Sequence, residues 1–279
     1  MRSKLVLIIL ASAFILISGI LILRSAHRAR HVPAGKKPAI RAVAQAPARK
    51  PAVRKQVTPQ GPRIAIVMDD FGYNMNNLEG LFAIGQPITL SILPGLPYSR
   101  RIAQAAAEHG YETILHLPLE SHRKDVREEF DTIKSGMSES QVLERLQAQI
   151  ASIPGLKGVS NHMGSKSTED AVLMTEILGY LKKKGLYFLD SLTSPNTVCG
   201  QTALKVGLPC GRRDIFLDNS SDADYVKKQL SQARKIALRK GRAIAICHDR
   251  KTTIAVLAEG LPEMSTEGVR FVFLSELVK

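Results

Sequence analysis

From residue 63 onward, short apolar runs alternate with longer stretches of helical period, and this alternation predicts an α/β fold. Strands are expected at Arg63–Met68, Ile88–Leu93, Tyr111–Leu117, Lys157–Asn161, Leu186–Asp190, Asp214–Leu217, Arg242–Cys247 and Val269–Leu274. Helix-period segments lie between most of them, among them Ser99–His109, Ser138–Ser152, Thr168–Lys184 and Asp222–Lys240. Thr168-Glu169-Asp170 reads as an N-cap followed by acids, and Lys182-Lys183-Lys184-Gly185 as a basic last turn closed by glycine. Strands that alternate with helices pair in parallel through right-handed crossovers. Seven or eight such units in about 215 residues fit a closed or nearly closed (β/α) barrel, with an open doubly wound sheet as the alternative.

The first 62 residues follow a different pattern. Leu5–Leu23 is an almost unbroken apolar run of 19, long enough to cross a bilayer at about 1.5 Å per residue. Arg2 and Lys4 precede it, which suits a cytoplasmic N-terminus, but Arg24, Arg28 and Arg30 make the other flank just as basic, so the positive-inside rule does not settle orientation. It is expected to be an uncleaved membrane anchor, with residues 1–4 cytoplasmic; a cleaved signal peptide is the alternative, disfavoured because Ser25-Ala26-His27 offers no good cleavage site. Residues 24–62 are rich in Ala, Pro, Lys and Arg and hold no aromatic residue, which predicts a disordered, self-repelling spacer. The folded domain is therefore expected at 63–279, outside the cytoplasm, at the inner membrane or secreted.

Charge sharpens this division. The chain carries +14 overall, but residues 1–62 hold 12 Lys and Arg with no acid, and the remainder is nearly balanced at 27 basic and 25 acidic residues. The high pI thus describes the tail, whose natural partners are anionic lipid or an anionic envelope polymer. Aromatics make up only 5% and there is no tryptophan, so a nucleic-acid-binding reading lacks stacking residues. Cys199 and Cys210 fall in one predicted loop region, where a disulfide and free thiols are both open.

The chemistry lies at the strand ends. Asp69-Asp70 follow the first apolar strand, and His116 ends the third. His162 follows the fourth, Asp190 ends the fifth, Asp218 follows the sixth, and His248 follows the seventh. In parallel α/β folds these ends gather at one mouth. Aspartates and histidines meeting there suit zinc or a similar divalent ion, with a carboxylate to take a proton from water and an imidazole to protonate a leaving group. Adjacent aspartates on extended backbone point in opposite directions, so Asp69 and Asp70 are expected to differ in task.

The segments Ile64–Gly72, His109–Glu120, Ser160–Thr168, Phe188–Ser191, Arg213–Asn219 and Ala243–His248, in this order, resemble the divergent polysaccharide deacetylase family. The resemblance covers about residues 63–279. It implies a distorted (β/α) barrel of about seven strands, with Asp69 as general base, Asp70 and His116 as metal ligands and His248 as general acid. The superfamily's His-x-x-x-His motif reads here as His116-Leu-Pro-Leu-Glu120, so the missing nitrogen falls to Glu120 or, as favoured here, to His162. No clear counterpart of its Arg-Pro motif is found. The activity implied is metal-dependent, zinc-type removal of N- or O-acetyl groups from an envelope polysaccharide or peptidoglycan-like glycan. The competing expectation is a catalytically silent barrel that binds glycan or scaffolds envelope assembly.

Overall fold

The computed structural model describes residues 61–278, so the predicted span Leu5–Leu23 and all but the last two residues of the spacer lie outside the described residues. Among the described residues no helix is long and apolar enough to cross a membrane. Nine strands form one sheet: β1 (Arg63–Phe71), β2 (Ile88–Ile92), β3 (Thr113–Leu119), β4 (Gly158–Met163), β5 (Tyr187–Asp190), β6 (Cys210–Arg212), β7 (Ile215–Phe216), β8 (Arg242–His248) and β9 (Arg270–Phe271). Their order is β6-β5-β4-β3-β2-β1-β8-β7, with β9 beside β1, and the pairings are parallel. Among the described residues seven α-helices accompany them: α1 (Leu78–Ala83), α2 (Ser99–Glu108), α3 (Glu139–Ser152), α4 (Ala171–Lys183), α5 (Cys199–Val206), α6 (Ala223–Lys240) and α7 (Lys251–Thr266).

A two-residue step draws the edges of this sheet together. Arg213 N donates to Asp190 O at 3.0 Å beside β5, and the next residue, Asp214, donates from N to Ile244 O at 2.8 Å on β8. Consecutive residues therefore hold to β5 and β8, the strands next to the two edge strands β6 and β7, and the sheet curls into a distorted (β/α) barrel. The expected strand Asp214–Leu217 is shorter than its apolar run because the chain must change partner there.

Period-two alternation sorts each strand between two cores. On β1, Ile64, Ile66 and Met68 pack in the larger cluster beneath the helices, while Ala65 and Val67 pack in a smaller one with Ile114, Leu189, Ile244 and Ile246. The smaller cluster is the barrel lumen. Val272, Leu274 and Leu277 join it from the C-terminal segment, where the expected strand gives way to a 3₁₀ turn. Below it, Glu112 accepts from Thr89 Oγ1 at 3.0 Å, Tyr187 OH at 2.8 Å and Ser275 N at 3.2 Å, forming a polar floor.

Gly158 on β4 lies against that floor, in register with Tyr187. A Cβ there would stand 2.3 Å from the Tyr187 ring, which its bond to Glu112 holds in place. Gly158→Ala is expected to cost about 1–3 kcal/mol, read as a lower denaturant midpoint at unchanged slope. A midpoint equal to wild type would contradict this packing.

Local signals explain most element boundaries. Asp222 caps α6 through Tyr225 N at 2.8 Å. Ser138 opens α3 with a reciprocal capping box to Gln141. The N-cap of α4 is Asp170, which accepts from Val172 N and Leu173 N, whereas the preceding Ser167–Glu169 forms a separate 3₁₀ turn. The helix thus starts later than the expected Thr168.

Candidate metal centre

Above the lumen core, the same alternation delivers a polar layer. Two residues beyond Val67 is Asp69, two beyond Ile114 is His116, and two beyond Ile246 is His248. Ser91 on β2 and Ser160 and His162 on β4 complete it. His116 and His162 stand inside their strands rather than at the ends expected for them. The β3–β4 ladder runs on through Pro118↔His162 and Leu119↔Met163, past the apolar residues that mark the strands in sequence.

Asp69 and Asp70 depart from simple alternation. The β1–β2 register shifts between Met68 and Phe71, and Asp70 has a φ of 68°. That left-handed backbone costs a non-glycine residue about 1–2 kcal/mol. It also brings both carboxylates to the same mouth, contrary to the expectation that they diverge. Asp70 Oδ1 lies 3.3 Å from His116 Nε2 and 3.3 Å from His162 Nδ1. The donor atoms of these three residues all fall within 4.8 Å of one another. Burial raises the Asp70 carboxyl, but the hydrogen bonds and charge of the two imidazoles outweigh it and hold the group well below the ordinary carboxylate range.

Asp69 is 2% exposed, with Oδ2 at 3.7 Å from His116 Nε2. Its Oδ1 is buried and has no hydrogen-bond partner. Burial, then the neighbouring Asp70, pushes its carboxyl well above the usual value, while Ser91 and the more distant charge of Arg213 pull it back. Burial also pushes His116 down to about 4, so the ring is neutral near pH 7. Its Nδ1 lies 2.8 Å from Ser160 Oγ.

His248 closes the opposite side. Its Nδ1 is 2.8 Å from Oδ1 of the fully buried Asp218, and its Nε2 is 3.9 Å from Asp70 Oδ2. Asp218 is itself fixed, accepting from His248 N at 2.9 Å and Thr253 Oγ1 at 2.7 Å. The His248 ring stacks on Phe216 at 5.1 Å, and the Arg213 guanidinium lies over that same phenyl ring at 4.5 Å. Arg213 is held by Ser191 O at 2.7 Å and Leu192 O at 3.0 Å. It is a half-buried arginine beside the site.

Other strand-end residues are engaged elsewhere. Asp190 accepts from Leu192 N at 2.8 Å and Thr197 Oγ1 at 3.0 Å, so it organises the β5–α5 loop. Glu120 accepts from Lys166 Nζ at 2.8 Å and Ser135 N at 3.1 Å, away from the aspartate and histidines. Of the two alternatives for the third nitrogen or oxygen donor, His162 is the one beside Asp70. Asn161 positions that strand end, donating to Met163 O at 2.7 Å and accepting from Ser191 N at 2.8 Å. Cys199, Cys210 and Cys247 are free thiols; burial pushes Cys210 up to about 12.

Sequence and fold comparisons agree with this geometry. The chain belongs to the divergent polysaccharide deacetylase family, whose profile matches residues 66–278. An uncharacterized protein of Haemophilus influenzae is 36% identical over 215 residues, covering 77% of this chain and 76% of the relative. The crystal structure of an uncharacterized protein from Agrobacterium tumefaciens C58 has a TM-score of 0.73 at 26% identity, covering 78% of this chain and 90% of that one. The catalytic domain of a peptidoglycan N-acetylglucosamine deacetylase from Eubacterium rectale shares the fold at a TM-score of 0.50 and 13% identity, covering 78% and 90%.

Proposed function

We propose that this chain is a metal-dependent deacetylase acting on N- or O-acetyl groups of a cell-envelope polysaccharide or peptidoglycan-like glycan. The observation that carries this reading is the convergence of Asp70, His116 and His162 beside a buried Asp69 oxygen that no protein donor satisfies. His162 Nε2 is likewise buried and unpartnered. Mixed nitrogen and oxygen donors suit zinc, and three protein ligands are the number catalytic zinc sites use.

Asp70, His116 and His162 would hold the cation. When bound, it supplies Lewis acidity, which favours ionisation of a water in the site and polarises an acyl carbonyl. Asp69 takes up the water's proton. His248, held by Asp218 through Nδ1, presents Nε2 to the mouth and hands a proton to the departing sugar amine or alcohol. Arg213 contributes positive charge that favours the ionised form of Asp69.

The apolar run Leu5–Leu23 would anchor the domain to the inner membrane, and the basic spacer would carry it into the extracytoplasmic space toward anionic polymer. The test is acetate release by the full chain, loaded with zinc, from N- and O-acetylated envelope glycans. Release that a chelator stops and added zinc restores is the expected result. No release from any such glycan would overturn the hydrolase reading in favour of a glycan-binding barrel.

A further inference from the structure

Among the exposed large apolar side chains, Val172, Leu204 and Leu238 stand on the outer helices α4, α5 and α6. Tyr73 and Phe130, 50% and 83% exposed, are placed differently. Tyr73 lies three residues beyond Asp70, and the turn between them is pinned just before α2, where Tyr98 N donates to Gly72 O at 3.0 Å. Its hydroxyl donates to Glu129 Oε1. Partial burial, that bond and the charge of Glu129 push the phenol up, and the Asp70 carboxylate adds to them. The hydroxyl edge of Tyr73 is therefore within electrostatic reach of the mouth.

Phe130 follows Glu129 and takes the second position of a tight turn. Thr132 closes that turn, donating to Glu129 O from N at 3.3 Å and from Oγ1 at 2.8 Å. Asp131, next in the turn, has a left-handed φ of 59°. From α3, Arg145 Nη1 donates to Thr132 O at 2.9 Å and Gln149 Nε2 to Asp131 O at 2.8 Å. From β3, Pro118 O accepts from Ile133 N at 3.0 Å. A phenyl ring left in water on a backbone held from two sides is oriented in advance, so covering it costs little conformational entropy.

We propose that Tyr73 and Phe130 form a stacking platform at the rim of the mouth for sugar rings flanking the one that carries the acyl group, so that the site takes a polymeric glycan in preference to a single sugar. The inference deepens the deacetylase reading above and rests on it. A pyranose ring has an apolar face of C–H bonds and an edge of hydroxyls. Aromatic rings cover the face and gain buried apolar area. Glu129, which holds Tyr73 through Oε1, keeps further lone pairs to accept from the hydroxyl edge. Tyr73, tied to the turn that carries Asp70, serves the ring next to the reacting one. Phe130, linked to the mouth only through Glu129, serves a ring further out. The exposed apolar residues on the outer helices have no such link to Asp70.

The experiment uses the zinc-loaded full chain with two probes, N-acetylglucosamine and its β-1,4-linked tetramer. It measures acetate release from both and calorimetric binding of the tetramer. Wild type is expected to show the lower KM for the tetramer. Phe130→Ala and Tyr73→Ala should each raise that KM and weaken tetramer binding by about tenfold, the effect of losing one ring's covered area. Tyr73→Phe, which keeps the ring, should recover most of the loss, and Leu238→Ala on α6 should bind the tetramer as wild type does. Phe130→Ala should unfold at the wild-type denaturant midpoint, which separates the loss from any effect on folding. If wild type releases acetate but both alanine variants keep its tetramer KM, the platform is overturned and the deacetylase reading stands. If wild type releases none yet binds the tetramer through these two rings, the deacetylase reading fails and the platform stands. A wild-type chain that does not bind the tetramer overturns the platform.

Discussion

Asp69→Asn, made in the full chain, is expected to keep the fold and the bound metal while losing about 10²–10⁴-fold in kcat for acetate release, the contribution typical of a positioned general base. The substitution is nearly isosteric, and the carboxylate it replaces has one buried oxygen without a partner, so little of the packing changes. What disappears is the ability to accept a proton from water. The pH profile provides a second readout. Burial and the neighbouring Asp70 hold the Asp69 carboxyl above its ordinary range. A base that already carries a proton cannot take another, so wild-type kcat/KM should decline as pH falls through the ionisation of Asp69. That acid limb should be absent in Asp69→Asn. A variant with wild-type kcat would remove Asp69 from the mechanism.

The second large effect is expected from the ligands. His116→Ala removes a side chain that reaches both carboxylates, since Nε2 is 3.3 Å from Asp70 and 3.7 Å from Asp69. It also strands Ser160 Oγ, and a buried polar group left unpaired costs about 1–3 kcal/mol. His162→Ala bears less on stability, because it loses the Nδ1 contact to Asp70 but strands no buried hydroxyl, and its Nε2 has no protein partner. Both variants should lose the cation and with it acetate release. His162→Ala should stay closer to wild type in unfolding free energy, as measured by denaturant titration.

Much of this site is legible in the sequence for a simple reason. In a parallel barrel the strand direction carries inward-facing residues toward one mouth, so Asp69, His116, His162 and His248 mark it even as a linear string. Motifs in the right order then supply the family. What stays hidden depends on contacts between distant positions. The register shift after Met68, which turns Asp70 back toward Asp69, has no local signal in a run of apolar residues and two acids. Ser91 and Ser160 look like ordinary small residues within strands, and only the folded barrel sets them 2.8 Å apart. Glu120 has basic neighbours at Arg123 and Lys124, yet its partner is Lys166, reached through the next strand's loop. The step from β6 to β7 is too short to carry periodicity, and α1, at six residues, is too short to establish a helical one.

The most direct test of the central claim is the metal content of the full chain after zinc loading and removal of excess, for wild type, Asp69→Asn, Asp70→Ala, His116→Ala and His162→Ala. The account predicts a single bound cation in wild type and in Asp69→Asn, and its loss in each of the three ligand variants. A wild-type chain that holds no metal, or ligand variants that hold as much as wild type, would contradict it.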